Sequence, residues 1–145
     1  MKTLKKTLAM AITGAMAAGI AFGAFAQDNA STEVSTARAH AMMAQSANTV
    51  AMAHTHLHHV INCLVGPGGQ GYDASAGTPC KGQGNGAIPD SAGNAAMHSK
   101  LQGALADAQA GLQANSLATV QSDAGKVAGA LQAGPAQASS AGKTW

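Results

Sequence analysis

The side chains of this chain with chemistry beyond packing are six histidines and two cysteines, and they are not spread evenly. The stretch Met52-Ala53-His54-Thr55-His56-Leu57-His58-His59-Val60-Ile61-Asn62-Cys63 carries His54, His56, His58, His59 and Cys63 within twelve residues. Imidazole is a ligand for late transition metals, and at positions i and i+4 of a helix two imidazoles reach one ion. His54 and His58 have that spacing. If a second helix runs antiparallel beside them, His98 comes level with about His58 and Met97 lies next to it. The first candidate metal set is therefore His54, His58, His98 and Met97. Three imidazoles suit zinc, nickel or copper, and a thioether moves the preference to copper, Cu(I) above all.

A second set lies on the other side of the same helix. His56, His59 and Cys63 share a face, so a disulfide from Cys63 to Cys80 would fold the intervening glycine-rich loop over the two rings as a lid on a metal or small-ligand pocket. In one straight helix His40 stands about 21 Å from His54 along the axis, outside the first set. With the neighbouring methionines Met42 and Met43 it supplies further donors, and the second candidate set is His56, His59, His40 and Met43. Reduced cysteines would instead offer a His59–Cys63 pair at i and i+4, but an oxidising compartment argues for the disulfide. Against both sets stands a plainer reading, in which the histidines are solvated or hold backbone carbonyls of the loop and the methionines fill gaps in the core.

Catalytic signatures are missing. There is no G-x-S-x-G, no H-E-x-x-H and no pair of carboxylates at a useful spacing, so a non-enzymatic role is expected. The glycines between Gly66 and Gly86 lack a following Lys-Ser or Lys-Thr and carry no nucleotide signal. Without C-x-x-C-H, covalent haem is excluded. A b-type haem held between His and Met inside a helical bundle is an alternative, though few aromatic side chains exist to wall it. The other alternative is a structural or protein-interaction module that contacts a partner protein through the glycine-rich loop.

The elements that must position these residues follow from patterning. Residues 1–26 have a basic start (Lys2, Lys5, Lys6), an apolar run and an Ala24-Phe25-Ala26 exit, the form of a secretory signal peptide, so a periplasmic or secreted protein with no membrane span after cleavage is expected. Eight basic and six acidic residues give the chain a formal net charge of +2. Losing Lys2, Lys5 and Lys6 with the leader makes it slightly acidic, and with no basic patch, nucleic-acid binding is not expected. Residues 27–135 read as one all-α domain. A long first helix, about 32–65, has no Gly or Pro and a weak point near Asn48-Thr49. Gly66 and Pro67 end it. A loop over 66–90, rich in glycine with Pro67, Pro79 and Pro89, precedes helices at about 91–114 and 116–133, capped by Ser91 and Ser116. Their apolar stripes (Met97, Leu101, Leu105, Ala108, Leu112; then Leu117, Val120, Ala124, Val127, Leu131) make a helical hairpin. The expected architecture is an up-down-up bundle of three helices, or of four if the first breaks near Asn48. Residues 136–145 form a flexible tail.

Overall fold

The computed structural model describes residues 22–132, with side chains from residue 29 onward. Five α-helices and one 3-10 turn account for the regular structure among them: α1 (Phe22–Gln45), α2 (Val50–Val65), the turn Ala74–Ala76, α3 (Ala87–Asp90), α4 (Ala95–Gln113) and α5 (Leu117–Ala130). The fold is all-α. Most of the leader-like segment and the tail from residue 133 lie outside the described residues, and no described helix is long and apolar enough to cross a membrane.

The single long helix expected over 32–65 is two helices. Thr49 is extended (φ −140°, ψ 152°) and its Oγ1 accepts a hydrogen bond from Met52 N, so it starts α2 as an N-cap. On the other side of the break Ser46 Oγ donates back to Met42 O and helps close α1. Both residues prefer caps to helix interiors because their hydroxyls compete for local backbone groups. The chain therefore turns over residues 46–49, and α2 returns along α1. The start of α1 also differs from expectation. The chain is already helical at Phe22, the first described residue, ahead of the Ser31-Thr32 cap signal, and Ala30 is fully buried; tertiary burial overrides a local capping preference.

Packing follows the small side chains. Ala37, Ala41 and Ala44 line the buried face of α1, against Leu57, Val60, Ile61 and Leu64 of α2, Leu101, Ala104 and Ala108 of α4, and Val120, Ala124 and Val127 of α5. α1 lies against α2 and α5, and α4 against α5 and α2. Of the expected α4 stripe, Leu101 and Ala108 are in the core, whereas Met97, Leu105 and Leu112 sit at its margin. α4 begins at Ala95 with Asn94 as its cap, because Ser91 closes α3 by donating its Oγ to Ile88 O.

The loop between α2 and α4 is tied down at three points. Cys63 and Cys80 form a disulfide with a Cα–Cα separation of 5.3 Å. Asn62, buried on α2, donates its Nδ2 to Asp73 O (2.7 Å) and Gly77 O (2.6 Å) and accepts from Asp73 N (2.8 Å). Gly66, at φ 69°, ends α2 by donating its N–H to Asn62 O, a backbone conformation that glycine adopts without steric penalty. At the far end of the loop two buried carboxylates meet. Glu33 of α1 is 1% exposed and accepts from Gly86 N at 2.8 Å, while Asp90 accepts from the backbone and side-chain nitrogens of Asn85. Burial, with the Asp90 charge beside it, pushes the Glu33 carboxyl up to about 7, against a smaller opposing effect of the Gly86 hydrogen bond. At position 84 a Cβ would stand 2.2 Å from Asp90 Oδ2 and 2.9 Å from Glu33 Oε1, so any larger residue there must displace the two carboxylates.

Candidate metal centre

The turn at residues 46–49 decides which histidines meet. With α2 lying back along α1, His40 comes beside His56 and His59 on the outer side of α2. His40 Nδ1 lies 3.3 Å from His56 Nδ1 and 3.3 Å from His59 Nδ1. One ring nitrogen from each of the three lies within 4.8 Å of the others. All three residues are half-buried, at the edge of the α1–α2 contact rather than in the core.

The orientation of one ring is set by the loop. His59 Nε2 donates to Ala76 O at 2.6 Å, which places the proton of the neutral imidazole on Nε2 and leaves Nδ1 as a lone-pair donor. This outer-shell hydrogen bond is of the type that fixes the tautomer of metal-ligating histidines. His40 and His56 are held neutral by their surroundings: burial lowers both pKa values, reinforced at His40 by His59 and His56 and at His56 by His59. His40 and His56 therefore favour the unprotonated form that a metal ion needs.

Hydrogen bonding alone does not satisfy this arrangement. His40 Nδ1 carries one proton or one lone pair and faces two other Nδ1 atoms, so it cannot make a good linear bond to both. A cation shared by the three rings would accept a lone pair from each. The separation is suitable: with metal–nitrogen bonds of 2.0–2.1 Å, two corners of a tetrahedron lie about 3.3 Å apart. The observed 3.3 Å contacts have that length, and a tetrahedral ion would keep one position open.

The first candidate set is not assembled. His54 Nε2 donates to Ala114 O (3.1 Å) at the end of α4. His98 Nδ1 donates to Ile88 O (3.1 Å) and stands 3.4 Å from Ser91 Oγ. His58 Nδ1 is 3.6 Å from Asp73 Oδ2, an ion-pair distance when the ring is protonated. His54 and His98 each have a hydrogen-bond partner, whereas His58 Nδ1 is buried beside Asp73 without a hydrogen bond; among the described residues His40, His56 and His59 form the one group of three able to hold an ion. The count that paired His98 with His58 took the loop ends as level and α4 as starting at Ser91; the short helix α3 and the later start at Ala95 remove that register. Met97 is at the margin of the core. Met43, assigned to the second set, is exposed and one helical turn from His40. The residue that sequence reasoning missed is Asn62, whose three hydrogen bonds hold the loop that orients His59. A buried amide one residue before a cysteine in an apolar run was its only signal.

A concavity of about 810 Å³ lies elsewhere, between the loop and α4, where Val65, Pro67, Ile88, Pro89 and Leu105 line it with glutamines and no titratable group. Comparison with protein-family models, curated proteins and solved structures finds no match.

Proposed function

We propose that this is an exported, non-enzymatic protein that binds one late transition-metal ion through Nδ1 of His40, His56 and His59, with copper preferred and zinc and nickel next. The observation that carries the reading is that His40 Nδ1 stands at tetrahedral-edge spacing from both His56 Nδ1 and His59 Nδ1, the last fixed as a lone pair by Ala76 O, with one ring nitrogen of each residue within 4.8 Å of the others. All three ligands are neutral imidazoles, a donor set shared by copper, zinc and nickel, so the preference for copper rests on the methionines nearby. Export is supported by the leader-like N-terminus and by the disulfide, which persists in oxidising compartments. The adjacent Nδ1 atoms suit neighbouring corners of a coordination shell, whereas a haem iron takes its two protein ligands on opposite sides of the macrocycle; the haem reading therefore gains nothing from this site.

The test is direct. Mature protein stripped with a chelator should take up one equivalent of copper at micromolar concentration, and the triple variant His40→Asn, His56→Asn, His59→Asn should take up none. Absence of uptake of copper, zinc and nickel by the unaltered protein ends the proposal. Amino-terminal sequencing of exported protein should begin at Gln27. An alternative, a protein-interaction module, has the apolar groove beside the glycine-rich loop in its favour; it would be preferred if the chain bound no metal.

A further inference from the structure

Three methionines are the large apolar side chains left exposed among the described residues: Met42 (48%), Met43 (47%) and Met52 (48%). A single exposed apolar residue calls for no explanation. The placement of these does. Met43 follows His40 by three residues on α1, and Met52 precedes His56 by four on α2, the two spacings at which side chains share a helix face. Because α2 returns along α1, both steps lead toward the turn at residues 46–49, by about 4.5 Å on α1 and about 6 Å on α2. Met43 and Met52 thus stand at nearly the same level on the flank that carries the rings, one helical turn nearer the tip of the hairpin. Met42 is rotated about 100° around α1 from Met43, and the buried Ala41 and Ala44 place it on the other flank.

The donors available at this end are all neutral. No carboxylate belongs to the His40–His56–His59 group, and both cysteines are in the disulfide, with no free thiol among the described residues. Neutral ligands leave the charge of a bound ion uncompensated, a smaller cost for a monovalent ion than for a divalent one. Thioethers are soft and select Cu(I) over Zn(II). Resting on the metal-binding reading above, we propose that Met43 and Met52 form a docking site for the cuprous ion at the mouth of the imidazole site. The ion enters on the two sulfurs and passes to the three Nδ1 atoms as Cu(I), exchanging thioether for imidazole ligands with no electron transferred and no proton released.

The experiment uses the whole mature protein, disulfide intact, labelled with carbon-13 at the methionine methyls and nitrogen-15 in the histidines. Silver(I) serves as a redox-inert surrogate for Cu(I), and Zn(II) as the comparison. Silver should shift the Met43 and Met52 methyl signals and leave those of Met42 and Met97 in place. The double variant Met43→Leu, Met52→Leu should lose at least about tenfold in silver affinity and keep its zinc affinity and thermal midpoint, since the shape of the side chain is nearly retained. Silver that moves Met42 as much as Met43, or moves neither Met43 nor Met52 while zinc still moves the imidazole signals, overturns the docking site alone. If neither ion moves the signals of His40, His56 and His59, the metal-binding reading falls and the docking site with it.

Discussion

One helix carries histidines on two flanks, and they meet different fates. On the outer flank of α2, His56 and His59 face a third ring, His40, across the hairpin with α1. On the other flank, His54 is taken by the last carbonyl before the α4–α5 turn and His58 by Asp73 of the loop. The spacing within α2 favours neither: His54 and His58 are separated by four residues, His56 and His59 by three, and both are one-face spacings. The difference lies in what the neighbouring element offers. Where it offers a carbonyl, as to His54, the ring is satisfied by a hydrogen bond; where it offers a carboxylate, as to His58, the ring stands at ion-pair distance; and where it offers another ring, a group able to hold an ion results.

That comparison is most sharply broken by substitution. Replacing His40, His56 or His59 singly with Asn should cost at least about 100-fold in metal affinity, while His54→Gln, His58→Gln and His98→Gln should change it by no more than about twofold, ligand loss exceeding the 10- to 100-fold typical of an outer-shell change. Isothermal titration with copper and zinc reads both groups, and equal losses would erase the distinction. Next in size is the disulfide, whose cysteines are 17 residues apart. The double variant Cys63→Ser, Cys80→Ser should lose about 3 kcal/mol of stability, seen in urea unfolding. It should also weaken metal binding by about tenfold, because the loop that presents Ala76 O to His59 is released. Gly84→Ala, far from the rings, should destabilise by about 1–3 kcal/mol through overpacking against the two carboxylates and leave metal affinity unchanged. Smallest is His54→Gln, about 1 kcal/mol for a lost hydrogen bond at the end of α4, again without a metal effect.

Acid should act on the converging rings with a known sign. His40 and His56 titrate below the ordinary value of 6.5, so in the metal-free protein the unfolded chain binds their protons more readily than the folded one. Stability from this source is complete above about pH 6.5 and declines as pH falls below it. Thermal midpoints of the metal-free protein measured from pH 7.5 to 5 should fall, and the fall should be smaller in the His40→Asn variant.

How much of this was legible in the chain differs between its parts. The all-α class, the Gly66-Pro67 stop, the Ser116 cap and the Cys63–Cys80 bridge were written in local chemistry, and each stands in the structure. The metal group was only half legible. His56 and His59 are read from one helix, but His40 joins them solely because the chain turns back at Ser46 and Thr49. In a continuous helix, sixteen residues would hold His40 about 24 Å from His56. Asn48-Thr49 was identifiable as a weak point; whether a weak point bends or reverses depends on long-range packing that no local pattern reports. The first set failed for a related reason, since it needed the register of α4 across a loop whose own helix, α3, had only four residues to announce itself.

The buried pair at the far end of the loop has a calorimetric signature. Glu33, pushed up to about 7 by burial and by Asp90, holds its hydrogen in the folded molecule over a range where the opened chain gives it up. Between about pH 4.5 and 7, melting therefore releases that hydrogen to the solution, and the heat absorbed changes with the ionisation enthalpy of the buffer chosen. The difference between scans in phosphate and in Tris at one pH should change in Glu33→Gln by the part due to one released proton, while the opposite part due to His40 and His56, which take protons up on melting, is kept.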